Sequence, residues 1–315
     1  MIKDILTMEG PVDEIFMVKN ATRAISNNGT PYLSLTLQDT SGTIDAKMWQ
    51  IEDSDLDIAQ IGRLVKVNGL VGVYKGHPQL KINDLSPVSE DSVDLSKFIP
   101  TAPVSVEAME KRLWEFVDLI EDEELKKITT TILKDNWEAY TTYPAGVSVH
   151  HAYLGGLMFH SLSICAMAIK VADQYSFLSK DYLIAGSLLH DIGKTRELSG
   201  PKISTYTEEG NLLGHITLGA DLVYEEGKKE GMDAEKLMVL THMILAHHGE
   251  MELGSPKVPA TAEAYVLHAL DDLDAKMECL KTTYSTTEEG EFTGKITWMG
   301  NTSFYKPHSL KKNKK

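Results

Sequence analysis

Nine of the eleven histidines lie between residues 150 and 268, at positions 150, 151, 160, 190, 215, 242, 247, 248 and 268. Imidazole binds divalent ions and carries protons near neutral pH, so such a cluster is a candidate metal or acid–base centre. Part of it forms an ordered series with carboxylates: His160, His190-Asp191, His215, His247-His248 and Asp271. Each group falls 23 to 32 residues after the one before. That interval suits successive helices that each supply one or two groups to a common point inside a bundle. The centre of the series is Ser187-Leu188-Leu189-His190-Asp191-Ile192-Gly193-Lys194, an apolar run that delivers a His and an Asp side by side. Neighbours on a helix point about 100° apart, so His190 and Asp191 grip one ion only from the groove between them, with ligands from other helices. Alone, the octapeptide also reads as an ordinary helix C-terminus with polar caps and a Gly stop.

The elements that must position these groups follow from hydrophobic periodicity. Val106, Met109, Leu113, Phe116, Val117 and Ile120 recur at helical steps, and Leu125, Ile128, Ile132 and Leu133 make a second helix. A third is expected to begin near His150 and run to Ile169, with Met158 on its core face. Tyr182 to Asp191 is a fourth. Leu237 to His247 and Ala262 to Cys279 add two more around a looser segment at 200–234, and Glu288 to Trp298 resembles a hairpin. Before all of these, residues 10–85 read as strands: Glu14–Lys19, Tyr32–Leu37, Thr43–Trp49, Leu64–Tyr74 and Pro78–Ile82, with Asn27-Asn28-Gly29 and Asp39-Thr40-Ser41-Gly42 as turns. Glu52 to Gln60 is an acidic helix or loop. Five short strands with Gly turns suggest a small closed barrel. Pro87, Pro100 and Pro103 mark a linker, giving a first domain over 1–88, a linker over 89–103, a helical domain over 104–281 and an extension over 282–315.

Composition sets the class. A chain of 315 residues with 42% apolar and 24% charged residues has enough material for two folded domains. The net charge of −15 argues against non-specific duplex binding by the whole surface. Bound divalent ions would add positive charge locally. The tail is a basic exception, with Lys306, Lys311, Lys312, Lys314 and Lys315. No stretch approaches the run of about 20 apolar residues that spans a bilayer, and no signal-peptide core follows Met1. Cys165 and Cys279 lie in apolar helical patterns, which favours free thiols and a reducing cytoplasm.

Tyr32-Leu33-Ser34-Leu35-Thr36-Leu37-Gln38-Asp39-Thr40-Ser41-Gly42-Thr43-Ile44 and Val67-Asn68-Gly69 resemble an OB-fold of the nucleic-acid-binding kind. Such a barrel holds single strands by stacking bases on exposed aromatics along a basic groove. The candidates are Tyr32, Trp49 and Tyr74 with Lys19, Arg23, Lys47, Lys66, Lys75 and Lys81; each aromatic taken singly also reads as barrel packing. Further along, Gly155-Gly156-Leu157-Met158-Phe159-His160-Ser161-Leu162, His190-Asp191-Ile192-Gly193-Lys194, Gly214-His215, Ala246-His247-His248-Gly249 and Asp271-Asp272-Leu273-Asp274-Ala275 resemble the HD-domain superfamily of metal-dependent phosphohydrolases. An OB-fold β-barrel followed by an all-α HD bundle, over roughly 10–281, resembles the YhaM-type 3′→5′ exoribonucleases.

The resemblance implies His160, His190, Asp191 and Asp271 as ligands of one ion, with Asp191 bridging to a second held by His215 and by His247 or His248. Asp271 and Asp274 are i,i+3 and share a face. The family pattern selects Asp271 and leaves Asp274 a supporting role. Two ions about 3.5–4 Å apart lower the pKa of a shared water and clamp phosphate oxygens for in-line attack. Lys194 would neutralise a non-bridging oxygen as charge builds. Mixed imidazole and carboxylate ligation suits Mn, Fe, Co, Ni or Zn better than Mg, and the resemblance points to Mn. His151 reads as a substrate contact or a helix cap, Arg196 as a phosphate contact or a solvated cation, and His242 and His268 as packing groups.

The resemblance implies 3′→5′ exonucleolytic release of 5′-mononucleotides from single-stranded RNA, with single-stranded DNA as a second substrate class. No membrane partner is expected, and a homo-oligomer is compatible. Two other readings compete: an HD phosphohydrolase of a small cyclic or alarmone nucleotide, and a non-catalytic single-strand-binding replication factor.

Overall fold

The computed structural model describes residues 1–26, 28–147 and 151–308. The chain divides into two compact units, Met1–Thr101 with Gly200–Ile203, and Ala102–Ser199 with Ser204–Lys315.

In the first unit, β1 (Gly10–Ile25), β2 (Pro31–Asp39), β3 (Gly42–Trp49), β4 (Leu64–Tyr74) and β5 (His77–Pro87) close a barrel in the order β1-β2-β3-β5-β4. The β3–β5 pair is parallel and the other pairs are antiparallel. Alternation explains which face closes: Leu33, Leu35 and Leu37 of β2 point inward opposite Met48, Ala46 and Ile44 of β3. Strand β1 is longer than Glu14–Lys19. Its first half pairs with β4 and its second with β2, and a register shift between Val18 and Asn20 bends it. A short helix, α1 (Ile2–Ile5), buries Ile2, whose backbone N–H donates to Asp39 Oδ2 at 2.7 Å. The acidic piece after β3 is helical as α2 (Asp53–Ile58), started by a Glu52/Asp55 capping box. The expected linker stretch forms two 3₁₀ turns, Glu90–Ser92 and Leu95–Lys97. Phe98 and Ile99 are buried after them, and the first unit continues to Thr101.

The second unit is a helical bundle of α3 (Val106–Asp118), α4 (Glu123–Asp135), α5 (Trp137–Thr142), α6 (Gly156–Gln174), α7 (Lys180–Leu189), α8 (Lys194–Glu197), α9 (Glu208–Lys229), α10 (Ala234–Ala246) and α11 (Ala262–Thr286). Its core joins Leu113, Phe116, Ile132, Leu157, Leu188 and Leu240. Tyr140, fully buried, donates its hydroxyl to Leu188 O at 3.0 Å. By length and composition α6 is apolar enough to cross a bilayer, contrary to the sequence expectation. Its window has a mean hydropathy of 1.3 and is 56% buried inside the protein, as a core helix would be.

Two elements depart from the periodicity reading. Helix α6 starts at Gly156, not near His150, because Gly155 takes a left-handed conformation at φ 72° and breaks any continuation from before it. His151 therefore does not cap α6; His150 lies outside the described residues. The segment at 200–234 is not loose but contains α9, hidden from periodicity by the Gly214 kink (φ 71°, ψ 153°). At the end of the chain the hairpin is real but shifted, with antiparallel bridges Phe292↔Tyr305 and Ile296↔Thr302. Lys306 donates to Tyr284 O and Thr287 O; the remaining tail lysines lie outside the described residues. Both cysteines are free thiols, Cys165 buried and Cys279 half-buried.

Gly193 decides how closely α8 and α9 approach. A Cβ there would stand 2.0 Å from His215 O and 2.6 Å from the Gly219 nitrogen, so only glycine fits. Gly193→Ala is expected to destabilise the chain by about 1–3 kcal/mol in denaturant melts through overpacking. Gly72→Ala, where a Cβ meets nothing within 4 Å, should change stability by less than about 1 kcal/mol.

Candidate metal centre

Five helices or helix ends converge in the second unit. His160 lies on α6, His190 and Asp191 end α7, His215 follows the Gly214 kink of α9, His247 and His248 end α10, and Asp271 is on α11. His160, His190, Asp191 and His247 are each at most 1% exposed.

Asp191 stands between two sets of imidazoles. Its Oδ2 lies 3.3 Å from His190 Nε2 and 3.8 Å from His160 Nε2. Its Oδ1 lies 3.5 Å from His215 Nε2 and 3.7 Å from His247 Nε2. Asp271 Oδ1 joins the first set, 3.0 Å from His160 Nε2 and 3.9 Å from His190 Nε2. His248 joins the second, its ring centroid 5.2 Å from that of His215 and 4.5 Å from that of His247. Lys194 Nζ donates to Asp191 Oδ2 at 2.6 Å.

The tautomers follow from what holds the other ring nitrogen. His190 Nδ1 donates to Ser187 O at 2.9 Å and His247 Nδ1 to Ile244 O at 2.7 Å, since a carbonyl can only accept. His215 Nδ1 donates to Glu197 Oε1 at 3.0 Å, and His160 Nδ1 to Asp274 Oδ2 at 2.7 Å. All four rings turn Nε2 inward. Among the described residues, His190 Nε2, His215 Nε2, His247 Nε2 and Asp191 Oδ1 are buried with no hydrogen-bond partner. Buried polar atoms are rarely left so, and several orphans around one point are the signature of a cation's ligands. The donor set, imidazole nitrogen with carboxylate oxygen, fits divalent transition metals.

The electrostatics agree. Burial opposes ionisation of Asp191, but the Lys194 ammonium and the His190 and His215 rings hold its carboxyl well below the usual range. Burial likewise works against Asp271, and His160 and His190 outweigh it. Burial, then His190 and His248, push His247 well down and keep it neutral, as a metal ligand must be. Burial alone would lower His160, yet its hydrogen bonds to Asp271 and Asp274 raise it to about 9. His160 Nε2 and Asp271 Oδ1 face each other at 3.0 Å, where a cation would take the place of a shared proton.

The other candidate residues are engaged by partners of their own. Arg196 is engaged by Glu209 and, at 3.7 Å, by Asp221. His151 is buried against Asp274 and Tyr153. His242 accepts from Ala260 N at 2.9 Å, and His268 donates to His247 O at 3.0 Å. Sequence reasoning missed Glu197, whose Oε1 accepts from both the backbone nitrogen (2.9 Å) and Nδ1 of His215. No local pattern marks it, because its partner lies beyond the Gly214 kink.

In the barrel, Tyr32 and Trp49 are cross-strand partners with ring centroids 4.7 Å apart, and Lys47 Nζ sits 4.8 Å over Tyr32. An open groove of about 1040 Å³ is lined by Tyr32, Trp49, Tyr74 and Lys81 among others. An adjoining hollow of about 420 Å³ shares Trp49, Tyr74 and Lys81 and adds Lys47. Trp49 and Tyr74 are 41% and 55% exposed, available for stacking. Lys66 lines neither hollow and pairs with Asp13 at 3.3 Å.

Comparison with known proteins places these features in families. Residues 157–276 match the HD domain and residues 17–88 the OB-fold nucleic acid binding domain; residues 106–183 also match a putative helicase model. The chain is 39% identical over 297 residues to the 3′-5′ exoribonuclease YhaM of Bacillus subtilis, covering 94% of this chain and 95% of that protein. It is 37% identical over 310 residues to the YhaM of Bacillus pumilus, covering 98% and 99%. Over 28% of its length the chain is similar to 61% of a chain of a replication protein A heterotrimer bound to ssDNA (17% identity, TM-score 0.22). It is also similar to the second OB-fold domain of replication protein A from Methanococcus maripaludis (20% identity, TM-score 0.22, 28% of this chain and 91% of that one). At those scores the fold rests on the barrel's own topology.

The His160 shift yields a pH dependence. Its folded value of about 9 exceeds the unperturbed 6.5, so the protonated ring contributes stability that is full below pH 6.5 and lost as pH rises through about 9. With a chelator present, wild type should melt at progressively lower temperature across that window, and His160→Gln should flatten the slope. Parallel slopes in the two proteins would contradict the assignment.

Proposed function

This chain belongs to the family of YhaM 3′-5′ exoribonucleases, and from that membership we propose that it shortens single-stranded RNA from the 3′ end at a centre for two divalent ions. His160, His190, Asp271 and Asp191 Oδ2 would hold one ion; Asp191 Oδ1, His215, His247 and His248 the other. When bound, the ions lower the pKa of an attacking water and neutralise phosphate oxygens. The observation that carries this reading is the opposed pair of Asp191 oxygens, each facing its own inward-turned imidazoles.

The remaining roles belong to the chain's own groups. Lys194 holds its ammonium beside Asp191 and adds positive charge where an anionic phosphodiester must approach. Exposed Trp49 and Tyr74, with Tyr32, Lys47 and Lys81, hold the strand by stacking and charge, which supports a polymer rather than a small nucleotide as substrate. Stacking is indifferent to the sugar, so single-stranded DNA is a second substrate, and the products are 5′-mononucleotides. Manganese is the proposed ion, from the mixed nitrogen and oxygen donors. The two free thiols support a reducing, cytoplasmic setting.

The test is a time course on 5′-labelled RNA with Mn²⁺. A ladder that shortens from the 3′ end is expected, and a strand left whole by ion-loaded protein would overturn the proposal. Asp191→Ala should lower kcat about a thousandfold or more, the loss of several kcal/mol of transition-state stabilisation. His215→Ala should lower it less, because the other ion keeps its ligands. The Trp49→Ala and Tyr74→Ala variants should each weaken oligonucleotide binding by about 1–3 kcal/mol in filter-binding titrations, with kcat on saturating RNA held.

A further inference from the structure

Asp274 stands one helical turn after Asp271 on α11, yet its carboxylate does not join the inward-facing group. Its Oδ2 lies 2.7 Å from both His151 Nε2 and His160 Nδ1, and its Oδ1 accepts from the Ser163 hydroxyl. Three donors thereby occupy lone pairs that an ion would need. His151 reaches Asp274 from an uncommon backbone: φ is +48°, the residue is 2% exposed, and its carbonyl oxygen accepts from Ala145 N at 3.1 Å. Tyr153 Oη lies 2.7 Å from His151 Nδ1, so the ring is held at both nitrogens. A non-glycine residue in that region persists only where its surroundings over-determine it.

We propose that Asp274, clamped by His151 and Ser163, is a positioning residue for the reaction. It holds the proton of His160 on Nδ1 and so aims Nε2 at the ion, while the clamp keeps Asp274 itself from becoming a ligand. This inference rests on the two-ion reading of the centre. Nitrogen and oxygen atoms of His151, His160 and Asp274 lie within 4.8 Å of one another, close enough to hold an ion of their own. The hydrogen bonds already made to Oδ2 argue against that use, and the test separates the two.

Full-length wild type, Asp274→Asn, Ser163→Ala and His151→Gln would be titrated with Mn²⁺ by calorimetry. Melting of the ion-free proteins and kcat and KM on single-stranded RNA would be measured alongside. Wild type should take two equivalents. Asp274→Asn replaces an all-acceptor group with an amide whose oxygen serves one histidine well. One equivalent should therefore weaken about 10–100-fold while the other changes little. Its kcat should fall with KM for RNA unchanged, because the barrel holds the strand. His151→Gln keeps a donor for Oδ2 and should lose less than Asp274→Asn.

Two equivalents of wild-type affinity in a folded Asp274→Asn would overturn the proposal and leave the two-ion reading standing. So would a third equivalent in wild type that disappears in that variant, since it would place an ion on Asp274. If Asp274→Asn does not fold, Ser163→Ala carries the test: one weakened equivalent at an unchanged melting temperature supports the proposal, and unchanged affinity overturns it. A wild type that takes no Mn²⁺ would overturn the reading of the centre and the inference with it.

Discussion

The second unit is arranged around one buried charge. Ionised Asp191 is 1% exposed, and an unpaired carboxylate in such a place costs several kcal/mol. Lys194 offsets part of that cost through a hydrogen bond at 2.6 Å. Around it His190, His215 and His247 turn Nε2 lone pairs toward the same point as the Asp191 oxygens, with no hydrogen-bond partner among the described residues. That arrangement is unstable as packing, since it leaves buried acceptors facing one another, and it becomes favourable when cations lie between them. The orphaned atoms of the centre are thus the physical link between the fold and the metal-dependent activity.

Helix ends do the positioning. His190 and Asp191 follow the last turn of α7, and His247 and His248 follow that of α10, where chain direction changes and side chains can point back into the bundle. Backbone carbonyls of the preceding turn, Ser187 O and Ile244 O, then fix the tautomers of His190 and His247 three residues on. His160 and His215 lie within helices and lack that local device, so each takes a carboxylate from a distant part of the chain, Asp274 or Glu197. Gly193 permits the close approach of α8 and α9 that brings His215 to Asp191.

The barrel supplies a different kind of recognition. Its groove offers exposed rings and lysines rather than a built pocket for one base, which suits a polymer whose sequence changes at every step. Tyr32 and Trp49 face each other because the β2–β3 register pairs them, and that register is set by the inward leucines of β2. The aromatic platform is therefore a consequence of the barrel's core.

Much of this was legible in the sequence for a definable reason. Strand alternation and helical periodicity are local, so the barrel and most of the bundle follow from residue spacing. The residues around the centre also follow, because five histidine or aspartate groups recur at helix-length intervals. Helix α9 escaped because Gly214 interrupts its pattern, and the start of α6 because Gly155 breaks the chain direction just before it. Which nitrogen of each histidine faces inward was not legible for His160 and His215. The partners that decide it lie 114 and 18 residues away, and no periodicity encodes such a pairing. Spacing likewise puts Asp271 and Asp274 on one face; the family pattern singled out Asp271, but the contacts of Asp274 with His151, His160 and Ser163 come only from the tertiary fold. Sequence determined which groups are brought near the centre; tertiary structure decided their orientation, because orientation is set by hydrogen bonds between residues far apart in the chain.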